Sequence, residues 1–459
     1  MESKIRRVIA ASAVVCMAAV LSAPAQAQKA EEPPATTRLM AYLQAFNSGD
    51  RGEMKAFFET QFAASVLNQI PVATRMARFE QAKAALGSLR FEKIAVERPS
   101  QTFALAKAGN GEDILLRVSV EKDPPFKLLA IILERVEDPN DVIIADPKAD
   151  EAELVASIKA YLEAEAGADE FSGVVLVAKD SRVLFHEAYG DADREAKAPN
   201  RKDTKFNLGS INKSFTRVAI HQLERQGKLG LDDPIKKFLP DYPNAAAAEK
   251  VTIRHLLDMT SGIGDFFGAR YDATPKETIR ALRDYLPLFA DLPLEFEPGA
   301  RNRYSNGGFV VLGLIIEKAS GEDYYAFVRE NIFRPCGMSD TDSFPRDADV
   351  PNLARGYTRA AATAGGRVLN LATLPGRGSS AGGGYSTAED MLKYIMALKD
   401  KKILLPDIAS GLAIAGGAPG INARVDWDQR TGYAVIVLSN YDPPAAGQVA
   451  RRIISWLPQ

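Results

Sequence analysis

Two uninterrupted apolar stretches, far apart in the chain, constrain its fold most. "FSGVVLVAKDSRVLFHEAYG", from Phe171 to Gly190, holds two apolar runs joined by the polar turn Lys179-Asp180-Ser181-Arg182. That spacing predicts a β-hairpin with both strands largely buried. "GYAVIVLSN", from Gly432 to Asn440, reads as another buried strand, and a helical pattern follows it from about Ala446 to Leu457. Strands this apolar need cover, so the expectation is a sheet built from both ends of the segment with a long, mostly helical insert between them. A helix with Leu154, Ile158 and Leu162 on one face leads into the hairpin.

The residues before that helix read as a separate module. Leu39, Met40, Leu43 and Phe46 stand at helical spacing and end in the turn "NSGD", and "EMKAFFETQFAASVL" and "TRMARFEQAKAAL" continue as helices. Extended runs then follow around Leu89 to Glu97, Thr102 to Lys107, Ile114 to Val120 and Lys127 to Arg135, with turns at "GNGED" and "KDPP". Helices followed by a strand meander make an α+β module over residues 36–137. A charged linker with two prolines spans residues 138–150, and the larger domain runs over residues 151–459. The order of elements and "AFNSGD" give the module a layout that resembles the small cone-shaped nuclear-transport-factor-like domains. The resemblance implies a helix-plus-curved-sheet accessory, structural or ligand-gripping.

The first residues, "MESKIRRVIAASAVVCMAAVLSAPAQAQ", carry a basic start at Lys4, Arg6 and Arg7, an apolar run from Val8 to Leu21, and Ala25-Gln26-Ala27. This is the pattern of a secretory signal over residues 1–27, cleaved after Ala27, and it predicts a periplasmic or secreted protein. No other apolar run is long enough to span a bilayer. Lys plus Arg number 57 and Asp plus Glu 59, which gives no net attraction to nucleic acid. Cys16 leaves with the signal, so Cys336 has no disulfide partner and is expected to be a small packed side chain.

Three short motifs carry candidate chemistry. In "GSINKSF" Ser210 stands three residues before Lys213, at the start of an amphipathic run with Phe215, Val218, Ala219 and Leu223 on one face. A serine at a helix N-terminus gains from the helix dipole, and a lysine nearly one turn later can fold back beside its Oγ. Such a lysine acts as a base only where burial or a cationic neighbour lowers its pKa. The same spacing serves a helix-capping serine and a solvated lysine, and Ser119 and Lys122 reproduce it within a predicted strand. Tyr304-Ser305-Asn306 could supply a proton-relaying phenol and an amide that holds a substrate carbonyl; Tyr242-Pro243-Asn244 shares its spacing, and a plain turn before a buried helix fits as well. "GSSAG", Gly378 to Gly382, fits the nucleophile-elbow pattern at Ser380. Its flanks are loop-like, however, and His186, His221 and His255 all precede it, so it reads as a decoy. Those histidines share no ligand spacing with one another or with a carboxylate, so no metal or cofactor is expected. His255 reads as a packed, hydrogen-bonded residue.

Taken in order, "FSGVVLVAKDSRVLFHEAYG", "FNLGSINKSFT", "VTIRHLLDMTSGI", "FEPGARNRYSNGGFVVLGLIIEKASG", "FRPCGMSDT", "AGGGYSTAEDM" and "GGAPGINA" resemble the serine β-lactamase-related family. That family includes class C β-lactamases, D-alanyl-D-alanine carboxypeptidases and family VIII esterases. The resemblance implies an antiparallel sheet flanked by helices with a helical subdomain, and the site between them. It implies Ser210 as acylated nucleophile, Lys213 as its proton acceptor and Tyr304 as companion base. Asn306 would orient substrate and lysine, and Gly416 and Gly417 would line the substrate site, the Gly417 N–H joining that of Ser210 in an oxyanion hole. The substrates so implied are small-molecule or peptide esters and amides.

One departure stands out. The family's third motif is a Lys or His, one residue, then Gly on the edge strand; aligned on "GGAPG", the cationic position falls on Ile414. The chain before Gly416 also looks short, as though a strand and its turn were missing. Isoleucine cannot anchor a substrate carboxylate. The expectation is therefore an exported serine hydrolase with esterase-like activity ahead of β-lactamase or carboxypeptidase activity. The alternative is a catalytically degenerate relative serving as a binding or scaffold protein.

Overall fold

The computed structural model describes residues 33–98, 100–136, 147–148, 150–359, 366–406 and 411–458. The signal pattern, most of the linker and most of "AATAGG" lie outside them. The chain forms two compact units, Met1–Val142 and Ile143–Gln459.

In the first unit α1 (Pro34–Ser48), α2 (Arg51–Gln61), α3 (Ala64–Gln69) and α4 (Val72–Leu86) precede β1 (Leu89–Arg98), β2 (Gln101–Ala108), β3 (Asp113–Val120) and β4 (Leu128–Val136). α1 ends at Gly49 in the left-handed region, and Asp50 caps α2 by accepting from the Glu53 N–H at 2.8 Å. The strands form an antiparallel meander in the order β1-β2-β3-β4. Register pairs Ala104 with Leu116 and Ala106 with Ile114, so these alternate residues share one face. Phe46, Met54, Phe58 and Phe79 of the helices fill the core against that face.

In the second unit, α5 (Glu151–Gly167) leads into β5 (Gly173–Lys179) and β6 (Arg182–Tyr189). The chain then runs through a mainly helical region, which includes α6 (Asn212–Arg225), α7 (Asn306–Ser320) and α8 (Ala388–Lys399), before returning in β7 (Gly411–Ala418), β8 (Ile421–Asp428) and β9 (Tyr433–Ser439), followed by α9 (Ala445–Trp456). The sheet order β7-β8-β9-β5-β6 joins both ends of the segment in antiparallel pairs. Val175, Val177, Val435 and Val437 point to the side covered by Leu154, Ile158 and Leu162 of α5 and by Val449 and Ile453 of α9. Val174, Leu176, Ile436 and Leu438 point the other way, into the core shared with α6, α7 and α8. This two-sided cover explains why β5 and β9 carry no polar alternation.

One expectation is corrected here. β6 is not largely buried: Arg182, Val183 and Glu187 are exposed, because β6 is the rim strand of the sheet. The strand before "GGAPG" is present as β7, paired with β8 along its whole length on the opposite rim. Among the described residues no helix is long and apolar enough to cross a membrane.

Candidate active site

Ser210 sits in a single 3-10 turn, Gly209–Ile211, that runs straight into α6. Its side chain caps nothing. Lys213, the second residue of α6, is 6% exposed and so is not a solvated lysine. Its Nζ donates to Asn306 Oδ1 at 2.7 Å and to the Ala381 carbonyl at 2.5 Å, and lies 3.1 Å from Ser210 Oγ. A neutral amine has two hydrogens and one lone pair. With the two carbonyl oxygens taking the hydrogens, the lone pair is left facing the serine hydroxyl. Burial brings the Lys213 pKa down to about 7, and the Asp265 carboxylate pulls it the other way.

Tyr304 and Asn306 arrive together because Ser305, between them, is the N-cap of α7 and accepts from the Gly308 N–H at 2.8 Å. The turn-before-a-helix reading and the site reading of this motif thus describe one structure. The Tyr304 hydroxyl donates to Ser210 Oγ at 2.6 Å. Tyr304 is 51% exposed, yet desolvation of its hydroxyl raises its pKa, while the bond to Ser210 lowers it and Asp265 adds to the rise. Asn306 Nδ2 donates to Asp265 Oδ2 at 2.7 Å.

The other wall comes from β7, whose outer edge faces the 3-10 turn because only β8 pairs with it. Gly416 has no room for a side chain: a Cβ there would lie 1.9 Å from the Leu208 carbonyl oxygen and 2.8 Å from the Ser210 nitrogen. Asn422 Nδ2 donates to the Gly416 carbonyl at 3.1 Å. In a trans peptide C=O and N–H point oppositely, so holding the Gly416 carbonyl toward Asn422 turns the Gly417 N–H to the other side. The Gly417 nitrogen lies 3.0 Å from where a Gly209 Cβ would stand. Ile414 pairs with Val425 and packs, half-buried, against the core.

These residues open on a cavity of about 790 Å³. Aromatic rings contribute to its walls, among them Phe266, Phe267, Tyr271, Tyr285, Phe344 and Tyr385, and Asp272, Arg346 and Arg377 line it as well. The β7 side presents Ala415, Gly416, Gly417 and Ala418, all uncharged.

"GSSAG" is no elbow. Ser380 is fully buried and donates to the Phe309 carbonyl at 2.8 Å. The loop does have a part at the site that its sequence does not reveal, because the Ala381 carbonyl holds Lys213. Ser380→Ala is expected to leave ester turnover within a few-fold of the parent and to cost about 1 kcal/mol in denaturant unfolding, the value of one buried hydrogen bond. The histidines lie apart: His221 Nδ1 meets Glu224, His255 joins the Thr252 capping box, and His186 sits on β6. Cys336 is half-buried and unpaired, and burial pushes its thiol up to about 11. Asp265 and Asn422 were not expected from the sequence. Asp265 lies just beyond the quoted "VTIRHLLDMTSGI" and Asn422 within "GGAPGINA", but neither has a spacing that marks it, and only the fold brings them to the site.

The chain matches the beta-lactamase family over residues 158–420. It is 33% identical to the esterase EstB of Burkholderia gladioli over 341 residues, which is 66% of this chain and 85% of that protein. It is 37% identical to penicillin-binding protein 4* of Bacillus subtilis over 193 residues, 41% of this chain and only 42% of that protein. Among solved structures, a penicillin-binding protein from Bacillus halodurans aligns with a TM-score of 0.58 at 31% identity, covering 64% of this chain and 99% of that one.

Proposed function

The chain belongs to the beta-lactamase family, and from that premise we propose that it is a serine hydrolase that forms its acyl-enzyme on Ser210 and prefers esters. The observation that carries this reading is the meeting of Lys213 Nζ and the Tyr304 hydroxyl on one serine oxygen, at 3.1 and 2.6 Å. Neutral Lys213 takes the Ser210 proton as Oγ attacks the substrate carbonyl carbon. The carbonyl electron pair moves onto oxygen, where the Ser210 and Gly417 N–H groups receive it. As the tetrahedral adduct collapses, the bond to the leaving oxygen breaks and Tyr304 supplies that oxygen with a proton, regaining one from Lys213. Water then repeats the sequence on the acyl-enzyme, and Ser210 leaves with its proton restored.

The preference for esters rests on the uncharged β7 wall, where Ile414 offers a substrate carboxylate no partner; the two arginines that line the cavity elsewhere are engaged by backbone carbonyls, Arg346 by Leu371 and Leu374 and Arg377 by Ser343. The esterase EstB among the relatives agrees with it. We assign the first unit an accessory role of the nuclear-transport-factor-like kind, and export to the signal pattern at residues 1–27. A binding protein that keeps the pocket without turnover is favoured by Ile414 alone.

The deciding measurement is covalent labelling. A fluorophosphonate probe is expected to add once, with mass spectrometry placing the adduct on Ser210, and p-nitrophenyl butyrate to turn over far faster than a penicillin. No label on Ser210, or label elsewhere with undiminished turnover, would refute the nucleophile. Label without turnover of any ester would leave the binding protein.

A further inference from the structure

Lys213 and Tyr304 explain how the serine is activated, yet neither explains what fixes the lysine's own surroundings. The Asn306 amide can present oxygen or nitrogen to Lys213, with opposite consequences. Oxygen accepts an amine hydrogen and frees the lone pair for Ser210, whereas the NH2 group would itself donate into that lone pair. An ionised carboxylate accepts only, so Asp265, 2.7 Å from Asn306 Nδ2, admits the nitrogen end alone and turns Oδ1 toward Lys213.

We propose that Asp265 is a positioning residue that orients the Asn306 amide and sets the pH at which Lys213 becomes a base. The proposal rests on the reading of Ser210 as nucleophile and deepens it. Asp265 belongs to the loop "GIGDFFG", where its other oxygen accepts from the Phe267 N–H at 3.1 Å. It does not line the cavity, so its effect passes through Asn306. With Ile414 at the position where the family carries a cation, burial lowers the affinity of Lys213 for its proton, and the Asp265 charge raises it again.

The other charged or titratable groups near this chain are few. Tyr304 presents its ring 4.7 Å from Lys213 Nζ. Arg217 on α6 shares the Phe309 ring with Lys213. Glu295, close to Gly264, is paired with Arg303 at 2.5 Å. None of them bonds Asn306 among the described residues.

Two variants separate orientation from charge. Asp265→Asn removes the charge and leaves one oxygen, which serves Asn306 when the exposed Phe267 N–H gives up its bond to residue 265. Its plateau kcat/KM is expected to stay within a few-fold of the parent, while the acid limb of the pH profile moves down by roughly half a unit or more. Asp265→Ala removes both; the limb moves down likewise and the plateau falls roughly tenfold or more as Asn306 loses its orientation. A loop residue serving only the Phe267 turn would change thermal stability and leave the limb in place, and that result, or a limb moving upward in Asp265→Asn, would overturn the proposal. Titration of the Lys213 Nζ by nitrogen-15 NMR, assigned by its loss in Lys213→Met, reads the same shift without turnover. If Ser210 takes no label but the Lys213 midpoint still falls in Asp265→Asn, the charge role stands and the nucleophile assignment alone is lost.

Discussion

Lys213→Met lowers kcat/KM for p-nitrophenyl esters by roughly 10²–10⁴, the range for loss of a positioned general base. Methionine fills the same buried channel but carries no lone pair that can take the Ser210 proton. The parent enzyme's pH profile reports the same group. With the Lys213 pKa at about 7, kcat/KM rises about tenfold per unit through the acid range and levels off above neutrality as the amine loses its proton. In the variant this limb disappears.

Stability moves the opposite way, and its sign follows from linkage. The folded-state pKa of Lys213 lies below the unfolded one, so between about pH 7 and the ordinary lysine value of 10.5 the unfolded chain binds one more proton at this residue than the folded chain. Unfolding free energy therefore rises with pH across that window. Below it, both states are protonated and the folded protein bears the full cost of a buried ammonium. Lys213→Met is thus expected to be more stable than the parent at pH 6, by up to several kcal/mol, with the difference shrinking toward pH 10. Urea unfolding of both proteins at the two pH values tests it. A variant that loses activity and stability together at pH 6 would show that Lys213 supports the fold rather than being strained by it.

The parts of this picture legible in the sequence are those with local signatures. The apolar runs of β5 and β9 must be covered on both sides, and that alone predicts a sheet closed by the two ends of the segment. α6 announces its buried face through Phe215, Val218, Ala219 and Leu223. Ser210, Lys213, Tyr304 and Asn306 stood out only because their motifs occur in the family's order, since each spacing recurs elsewhere in the chain. What stayed hidden depends on tertiary placement. The edge position of β6 is a property of sheet order, to which local hydrophobicity is blind. Asp265 and the Ala381 carbonyl act on Lys213 from loops distant in sequence, and a backbone carbonyl has no sequence signature at all. Ile414 was visible as a departure, but its turn into the core, on the face it shares with Val425, required the register of β7 with β8.

Gly416→Ala abolishes most ester turnover, while Gly417→Ala next to it is tolerated far better. The contrast follows from what each new methyl group meets. At Gly416 it would stand 1.9 Å from the Leu208 carbonyl oxygen and 2.8 Å from the Ser210 nitrogen, both backbone atoms of the segment that carries Ser210. Neither can give way without moving Ser210 or pushing β7 outward, and either shift moves the Gly417 N–H relative to Ser210, away from the proposed oxyanion position. A misplacement of about an ångström costs on the order of a hundredfold in rate. At Gly417 the methyl meets the Pro443 ring at 2.8 Å and the Asn422 amide nitrogen at 3.6 Å, atoms outside the segment that carries Ser210, so the shift required falls on the Pro443 ring and its loop. The expected result is a fall in kcat/KM of about a hundredfold or more for Gly416→Ala against roughly tenfold or less for Gly417→Ala. Both variants should keep a cooperative thermal transition, because β7 is a rim strand and its pairing with β8 survives either change. Fluorophosphonate labelling of Ser210 should slow in parallel with turnover, since phosphonylation also places an oxygen at the Gly417 N–H. Equal activity in the two variants would mean that β7 contributes no donor to the reaction. The chemistry would then rest on the Ser210 turn alone, and the uncharged edge strand would serve only to shape the aromatic cavity.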